Sequence, residues 1–359
     1  MQIEPIEERN QSTQPTSVMP VFNNRTVVAE GWYHVCASAS LSRKTARGFQ
    51  ICGQELVLFR GEDQKVRALD AYCPHMGTHL GVGKVHGNQI RCFFHHWQFD
   101  EHGNCTDVPC QKNIPEKAKL KPYAVTEKYG AIWVHPNHEI NKDIADFPEL
   151  KNKSLKIVMG KPYTRSCHHH VTMINGIDPQ HLKTVHQLNI QMELEISEEN
   201  DGRQIDISLS GEIPTSSWQG RWTRAILGPY YGYSMRYDHA NNGLLTLLKD
   251  VRLFGTGPKL PTLHMIFAYR PLNAVETLVQ PIYVAQKRKG IFGAITERFL
   301  VFLTQRAFFA LQGEDGKVYE NMRFYPKNLL PMDKPIAQYI QYVNKLPVSP
   351  WKVLYGTRN

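Results

Sequence analysis

Two short stretches between residues 73 and 99 decide the fold of this chain: Cys73-Pro74-His75-Met76-Gly77-Thr78 and Cys92-Phe93-Phe94-His95-His96-Trp97-Gln98-Phe99. Each stretch offers one cysteine and one histidine, and sixteen residues separate His75 from Cys92. Two thiolates and two imidazoles on facing loops can hold a tetrahedral zinc ion or a [2Fe–2S] cluster in which two histidines replace two cysteines. Common structural zinc patterns pair cysteine with cysteine and histidine with histidine. The mixed pairs therefore favour the iron–sulfur cluster, and zinc is the alternative.

The composition is that of a folded protein with metal-binding capacity. The chain has 359 residues, of which 42% are hydrophobic, and this is enough for two domains with sizeable cores. Lys and Arg number 42 against 33 Asp and Glu, and the net charge of +9 favours acidic partners. No zinc-finger, RNP or heptad spacing accompanies the charge, so nucleic-acid binding is not expected. Seven cysteines, an odd number without a secretory signal, indicate reduced thiols, metal ligands and a cytoplasmic location.

The apolar segments do not predict a membrane span. The longest, residues 290–311, contains Glu297, Arg298 and Arg306, and charges of this kind argue against a spanning helix. Association with an anionic membrane surface is compatible with the basic charge, but no motif supports it.

The strand and helix signals divide the chain into a tail and two domains. Residues 1–27 are polar and are predicted to form a poorly ordered tail. Short apolar runs such as 55–59 and 131–134 alternate with turn signals, which predicts an all-β domain over residues 28–140. A Lys- and Asp-rich stretch, 137–156, is predicted to be a linker. The second predicted domain, 141–359, contains a helix starting near Asp178, a β-rich stretch at 193–286, and helices at 290–311 and 336–344.

A second candidate metal site lies in residues 175–186, which read Asn-Gly-Ile-Asp-Pro-Gln-His-Leu-Lys-Thr-Val-His. Two histidines and one carboxylate that leave positions open are typical of Fe(II) oxygenases, and His181 and His186 supply the imidazoles. Residues five apart point roughly 140° apart on an ideal helix, so both rings can reach one ion only where the helix ends or is distorted. Asp178 before Pro179 also fits an ordinary N-cap with proline at N1, beside surface histidines. The carboxylate should come from a distant segment, with candidates Glu314, Asp315 and Glu320.

The two stretches quoted first resemble the cluster-binding loops of Rieske non-haem iron oxygenases. That family usually has glycine between the ligand histidine and the tryptophan, where this chain has His96. Residues 69–72 before the first loop and 130–134 at the end of the domain agree with the resemblance. It implies a [2Fe–2S] cluster held by Cys73, His75, Cys92 and His95. It also implies an α+β fold, in which an all-β Rieske domain is followed by a helix-grip catalytic domain, an antiparallel sheet wrapped around helices.

The resemblance extends to the second site. It implies a mononuclear Fe(II) held by His181, His186 and Asp315, although Glu314-Asp315-Gly316 is also a good turn sequence. Asp178 resembles the family's aspartate that connects histidines of the two metal centres across a subunit interface. It therefore implies a role for Asp178 in electron transfer, and a homotrimer. Because no dinucleotide or flavin motif is present, electrons from NAD(P)H are expected through a separate ferredoxin or flavin reductase, with O2 as co-substrate.

The substrate is the least determined of these expectations. Residues 319–342 faintly resemble ketosteroid hydroxylases and cholesterol-desaturase-like members, which implies hydroxylation, desaturation or dealkylation of a small apolar substrate, sterol-like or alicyclic. The alternatives are an aromatic-ring dioxygenase, a Rieske electron carrier with a non-catalytic second domain, and a zinc-stabilised ligand-binding protein. The histidines at 168–170 are interpreted as a partly exposed polar run. A basic run is interpreted as a solvated surface that could attract an acidic ferredoxin: Lys112, Lys117, Lys119 and Lys121. Five phenylalanines are interpreted as helix core rather than pocket lining: Phe292, Phe299, Phe302, Phe308 and Phe309.

Overall fold

The computed structural model of the chain describes residues 27–186, 190–199, 201–216, 218–249, 251–273, 275–322 and 326–352. The tail predicted at 1–27 therefore lies, except for Val27, outside the described residues.

The described residues include twenty strands, and all the strand pairings are antiparallel. In the first half they are β1 Val27–Ala29, β2 Tyr33–Ala37, β3 Ala46–Ile51, β4 Gln54–Arg60, β5 Val66–Asp70, β6 Lys84–His86, β7 Gln89–Arg91, β8 Gln98–Phe99, β9 Cys105–Asp107, β10 Pro122–Lys128 and β11 Ala131–His135. In the second half they are β12 Leu155–Met159, β13 Tyr163–Arg165, β14 Gln191–Glu198, β15 Gln204–Glu212, β16 Tyr230–Asp238, β17 Asn242–Leu247, β18 Leu263–Asn273, β19 Glu276–Gln286 and β20 Val348–Lys352.

Within the described ranges, the α-helices all belong to the second half: α1 His169–Asn175, α2 Pro179–Thr184, α3 Trp218–Leu227, α4 Gly290–Asn321 and α5 Lys334–Lys345. Short 3₁₀ turns lie at Ser38–Ser40, Leu80–Val82, Pro148–Leu150, Leu253–Gly255 and Pro331–Asp333. No helix among the described residues is long and apolar enough to cross a membrane.

The first half forms two sheets. Six strands pair in the order β2-β11-β10-β5-β4-β3, and β6-β7-β8-β9 form a smaller sheet that carries the second cysteine–histidine stretch between β7 and β8. The predicted apolar runs are strands β4, β5 and β11, as expected. Leu56 and Leu58 of β4 pack into one core, whereas Val57 and Phe59 pack into a second core beside Cys73 and Cys92. The alternation of side chains along a strand thus joins the two sheets through a shared β4.

The second half is built on an eight-stranded sheet: seven strands have the order β12-β19-β18-β17-β16-β15-β14, and the eighth, β13, pairs with β19. Strand β18 shows how the sheet is used on both faces. Met265 and Phe267 face a core with helices α1, α4 and α5, while Ile266 and Ala268 face a core shared with the first half. The predicted α+β fold, with helices gripped by an antiparallel sheet, is confirmed.

The structure corrects three element predictions. Helix α4 continues ten residues past Leu311 to Asn321, so the Glu314–Asp315 segment is helical rather than a turn. Helix α3 interrupts the stretch predicted to be β-rich. The predicted linker is not a free connection, because Ile144, Phe147 and Leu150 are buried against Trp133 and the large sheet. The domain boundary near residue 140 stays a prediction.

Candidate metal centres and apolar cavity

The first cysteine–histidine stretch is a tight loop closed by its own backbone. The amide of Cys73 donates to the carbonyl of Thr78 at 2.9 Å, and the amide of Gly77 donates back to Cys73 at 2.9 Å. Gly77 has a φ of 74°, in the left-handed region that favours glycine. The loop therefore presents Cys73 inward and His75 outward by backbone geometry alone.

The second stretch closes in the same way, with the amide of Cys92 donating to the carbonyl of Trp97 at 2.8 Å. His96, which occupies the place of the usual glycine, has a φ of 62°. Histidine enters the left-handed region more readily than β-branched residues do. The loop therefore keeps a left-handed residue at this position despite the substitution.

The four residues predicted to bind the cluster lie together. Cys73 and Cys92 are buried in one core, and the rings of His75 and His95 lie 4.5 Å apart at the exposed end of the two loops. Trp97 stacks on His75 with 4.5 Å between ring centroids and fixes its plane. Burial raises the pKa of the Cys73 thiol to about 11, and the neighbouring Cys92 adds to the rise. Two adjacent buried thiols of this kind suit a cationic centre, because a metal ligates the thiolate form.

The local sequence explains how helix α2 begins. Asp178 is its N-cap, and its Oδ1 accepts from the amides of Gln180 at 2.9 Å and His181 at 3.2 Å. Pro179 occupies the first helical position, where its missing N–H costs nothing. The predicted cap and helix start are confirmed.

The end of α2 resolves the geometric difficulty of two histidines five residues apart. The helix ends at Thr184, with Val185 as C-cap, so His186 lies beyond the last turn. Its ring is free of the 3.6-residue period and turns back, so that the Nε2 atoms of His181 and His186 are 2.9 Å apart.

Asp315 of α4 joins these two rings. Its Oδ1 lies 3.0 Å from Nε2 of His181 and 3.1 Å from Nε2 of His186. The side chains of all three residues are almost completely buried, at 4 to 8% exposure. These residues form one of two clusters among the described residues whose donor atoms are close enough to hold a metal ion. Of the three carboxylates that the sequence leaves open, Asp315 is the one at the two Nε2 atoms.

Glu314, which the sequence offers as an alternative iron ligand to Asp315, does not face the two Nε2 atoms. Its Oε2 lies 2.7 Å from Nδ1 of His186, on the far side of the ring from Asp315, and its side chain is 52% exposed. One further contact completes the surroundings: Nδ2 of Asn175 lies 2.9 Å from Nε2 of His181. Sequence reasoning missed Asn175 altogether, although it begins the same motif.

The charges of the site reinforce each other. Burial opposes ionisation of Asp315, but the contacts with His181 and His186 outweigh it and lower the Asp315 pKa to about 2. Burial also disfavours a charged His186 ring, yet its contacts with Asp315 and Glu314 leave the His186 pKa raised. An anionic oxygen facing two ring nitrogens in a buried pocket is an arrangement that favours a cation.

The other cluster of donor atoms is His168, His169 and His170. The expectation of a partly exposed polar run is wrong, because His169 and His170 are 0% and 1% exposed. His170 contacts the hydroxyl of Tyr339 at 2.9 Å, and burial lowers the pKa of both rings well below the ordinary value. His169 and His170 are therefore neutral core residues at the start of α1, and His170 ties that helix to α5.

A cavity opens beside His181, His186 and Asp315, with an empty volume of about 840 Å³ that includes its mouth. Its walls are aromatic and aliphatic side chains of the large sheet and of α4, among them Tyr231, Tyr233, Met235, Leu245, Leu247, Met265, Phe267, Tyr269 and Phe308. Of the five phenylalanines considered from the sequence, Phe308 lines this cavity; Phe292, Phe299, Phe302 and Phe309 are neither core nor pocket but exposed. The tyrosine and methionine lining from β16 follows period 2 along the strand, a signal present in Tyr231, Tyr233 and Met235 that sequence analysis did not use.

Comparison with known proteins agrees with this geometry. Residues 31–124 match the family model described as the Rieske [2Fe-2S] domain. The chain is 31% identical over 267 residues, 71% of its length, to a protein of Bombyx mori named cholesterol 7-desaturase nvd, of which the match covers 53%. It is 32% identical over 117 residues to a Rhodococcus rhodochrous protein named 3-ketosteroid-9-alpha-monooxygenase, oxygenase component, covering 33% of this chain and 31% of that one. The chain spans about half the length of the first curated relatives it matches.

The fold is shared with solved structures. Dicamba monooxygenase bound to dicamba superposes with a TM-score of 0.64 at 20% identity, over 89% of this chain and 98% of that one. At this level of identity the likeness concerns the fold. This chain therefore carries a Rieske [2Fe–2S] domain, is related to proteins named cholesterol 7-desaturase and 3-ketosteroid-9-alpha-monooxygenase, and shares its fold with dicamba monooxygenase.

Proposed function

We propose that this chain is an O2-dependent oxidoreductase that hydroxylates or desaturates a sterol-like, apolar substrate. The observation that carries the proposal is the cluster of His181, His186 and Asp315 in the wall of a largely apolar cavity. Two neutral imidazoles and one carboxylate that leave further positions open are the ligand set of Fe(II) oxygenases.

The donor atoms fit a mononuclear Fe(II). The three separations of 2.9, 3.0 and 3.1 Å bring two imidazole nitrogens and one carboxylate oxygen close enough together for one ion to bind all three. In addition, Oδ1 of Asp315 is buried and, among the described residues, accepts no well-directed hydrogen bond. Three converging donor atoms of this kind are stabilised by a shared cation.

We assign the [2Fe–2S] cluster to Cys73, His75, Cys92 and His95. When bound, such a cluster supplies single electrons and a mononuclear Fe(II) activates O2. The residues of the chain do the rest: Trp97 and the loop amides orient the cluster ligands, Glu314 orients His186, and the aromatic walls exclude water from the substrate. Electrons from NAD(P)H are proposed to arrive through a separate ferredoxin or flavin reductase.

Asp178 is proposed to connect the two centres between subunits of a homotrimer. His75 and His95 lie at an exposed surface, so an acceptor reaches them from outside the loop. Both capping bonds of Asp178 use Oδ1, which leaves its charge and second oxygen for a histidine of a neighbouring subunit. A carboxylate between two ligand histidines would orient both rings.

The substrate class rests on the cavity and on the relatives. The cavity lies directly beside His181, His186 and Asp315, where a bound substrate would meet the metal. Its lining is aromatic and aliphatic, apart from a few polar groups at the metal ligands. The related proteins carry names that refer to cholesterol and ketosteroids.

The test is turnover by the purified protein with a surrogate ferredoxin–reductase pair and NADH. We expect substrate-dependent O2 uptake with sterols or 3-ketosteroids, and a product that has gained one oxygen atom or lost two hydrogens. Asp315→Ala is the matched control and should consume no O2 in response to substrate. Turnover confined to methoxylated or N-methylated aromatics would move the assignment to aromatic substrates. Electron acceptance by the cluster without turnover on any class would indicate an electron carrier.

A further inference from the structure

Helix α4 is apolar on two opposite faces. One face, with Val301, Phe308 and Tyr319, is buried against the large sheet and the cavity. The opposite face also carries large apolar side chains, and these are 54 to 87% exposed: Ile291, Phe292, Ile295, Phe299, Phe302 and Phe309. A helix that is apolar all round normally has both faces covered.

The exposed side chains form a continuous stripe. At about 100° per residue, the six residues fall within an arc of roughly 100°, and the 18 positions from Ile291 to Phe309 span about 27 Å of helix. Single exposed apolar residues are ordinary on protein surfaces, whereas a contiguous patch of this size marks a contact surface.

Helix α3 carries a second patch of the same character. Trp218, Trp222 and Ile226 repeat every four residues and are 62, 66 and 48% exposed. The helix packs against the turn Leu253–Gly255, where Phe254 is also exposed. Four large apolar groups thus lie on adjoining elements.

Basic residues surround both patches. Residues 213–230, 251–262 and 287–309 contain nine Lys or Arg and a single acid, Glu297. Glu297 is buried and accepts from the backbone amide of Arg288 at 3.0 Å, so it does not face the solvent side of the stripe. Arg224 pairs with Glu212 just outside these segments. Lys287, Arg288, Lys289 and Arg298 are exposed beside the α4 stripe, and exposed Arg306 lies within its arc, over the ring of Phe302.

Both patches lie on elements that form the cavity. The inner face of α4 contributes Thr304, Phe308 and Asp315 to it. Strand β16, which follows α3 and contacts it, contributes Tyr231 and Tyr233. A surface that covers the patches would therefore lie against the walls of the substrate site.

Charge decides between the occupants of these patches. A second copy of the chain that paired through the same stripe would bring two basic surfaces together, since an isologous contact is self-complementary. A heterologous contact, as in a ring, would set the stripe against another surface of a chain whose net charge is +9. An anionic bilayer surface offers the opposite charge for the Lys and Arg side chains and an interfacial zone in which Trp and Phe are stable. Helices with aromatic residues on one side and basic residues around them lie in that zone without crossing it.

We propose that the α4 stripe and the α3 patch dock this protein on an anionic lipid bilayer, so that a lipophilic substrate enters the cavity from the membrane surface. The second clause rests on the proposed function, whereas the docking itself does not. The bilayer covers the exposed face of α4 while the inner face of the same helix keeps its contacts with the cavity.

Binding of the purified, cluster-loaded protein to vesicles tests the proposal. Vesicles of phosphatidylcholine mixed with phosphatidylserine should carry the protein on flotation, and vesicles of phosphatidylcholine alone should carry much less. High salt should weaken binding to the mixed vesicles. The double variants Phe292→Ser/Phe299→Ser and Trp218→Ser/Trp222→Ser should each bind the mixed vesicles about tenfold or more weakly, because each loses two side chains that insert.

Matched controls are Val82→Ser and Ile114→Ser, which remove exposed apolar side chains from the first half of the chain and should bind like the unaltered protein. Equal binding by the stripe variants and the controls would overturn the proposal, as would failure of the unaltered protein to float. The proposal would also be overturned if the protein did not bind vesicles and formed an oligomer that only the stripe variants dissociate. That result would assign the patches to contact with a second copy of the chain. Because flotation needs neither O2 nor substrate, sterol turnover in detergent without flotation would refute docking and leave the function standing. Flotation without turnover on any substrate class would support docking and refute the proposed function.

Discussion

The contact between Glu314 and His186 gives the sharpest test of the candidate iron site. Adjacent carboxylates in α4 have separate positions: Oδ1 of Asp315 faces both Nε2 atoms, while Oε2 of Glu314 meets Nδ1 of His186 at 2.7 Å. We expect Asp315 to be a ligand and Glu314 to orient the His186 ring and raise its basicity. Glu314→Gln keeps the size of the side chain and removes its charge.

The magnitude follows from this geometry. Loss of a group that hydrogen-bonds a ligand histidine typically costs about 10–100-fold in metal affinity. The Glu314 side chain is 52% exposed, so solvent screens its charge and the lower end applies. We therefore expect Glu314→Gln to bind Fe(II) about tenfold more weakly, whereas Asp315→Ala should hold no mononuclear iron where the unaltered protein is saturated.

The assay is an Fe(II) titration against a competing chelator, with the visible absorption of the [2Fe–2S] cluster as the internal measure of folded protein. Glu320→Gln is the matched control: this carboxylate is exposed near the end of the same helix and should have no effect. Loss of iron from Glu314→Gln as complete as from Asp315→Ala would refute the division of roles. Normal iron affinity in Asp315→Ala would refute the site itself.

Three further predictions concern the N-cap, the second cluster loop and a buried histidine. Asp178→Asn should keep the α2 cap, since asparagine caps about as well as aspartate. The variant should retain both metal centres but lose nearly all turnover. Rapid cluster-to-iron electron transfer in a single-turnover experiment would contradict this. His96 has a φ of 62°, which favours glycine and disfavours β-branched residues. His96→Gly should therefore leave the cluster spectrum unchanged and stabilise the protein by no more than about 1 kcal/mol, whereas His96→Val should destabilise it. Equal thermal midpoints for the two variants would contradict the backbone argument. Burial, with Arg270 nearby, lowers the His34 pKa to about 3, so below about pH 6.5 the unfolded chain takes up a proton that the folded chain refuses, and stability should fall as the pH drops from 6.5 towards 3. His34→Gln should make thermal stability less dependent on pH across that window, and an unchanged pH dependence would show that the ring is not held neutral.

The sequence was sufficient for the parts of the site whose geometry is local. Ligand spacing within two loops predicted the Rieske domain, which the family match confirms at residues 31–124. Asp178 and Pro179 predicted the start of α2, because capping depends on neighbouring backbone amides. Strands β4, β5 and β11 followed from their apolar runs.

The sequence misjudged features that depend on what packs against them. A Glu-Asp-Gly segment is good turn chemistry by itself, yet it is helical here because Asp315 and Tyr319 are buried on the inner face of α4. His169 and His170 are polar by composition but lie in the core between α1 and α5. The phenylalanines of α4 could not be sorted by periodicity, since both faces of the helix are apolar.

The sequence by itself determined the chemistry that this protein can perform: thiolates, imidazoles and carboxylates at spacings that loops and a helix end can bring to metals. Only the tertiary structure decided which carboxylate faces the two histidines, that Glu314 turns to Nδ1 of His186, and that strands β16 to β18 wall a cavity beside them. The contacts of His181 and His186 with the two carboxylates join residues 128 or more positions apart in the chain. Helix, strand and turn preferences depend on a few neighbouring residues. The positions of contacts between distant segments are set only when the two faces of the large sheet bury different sets of side chains.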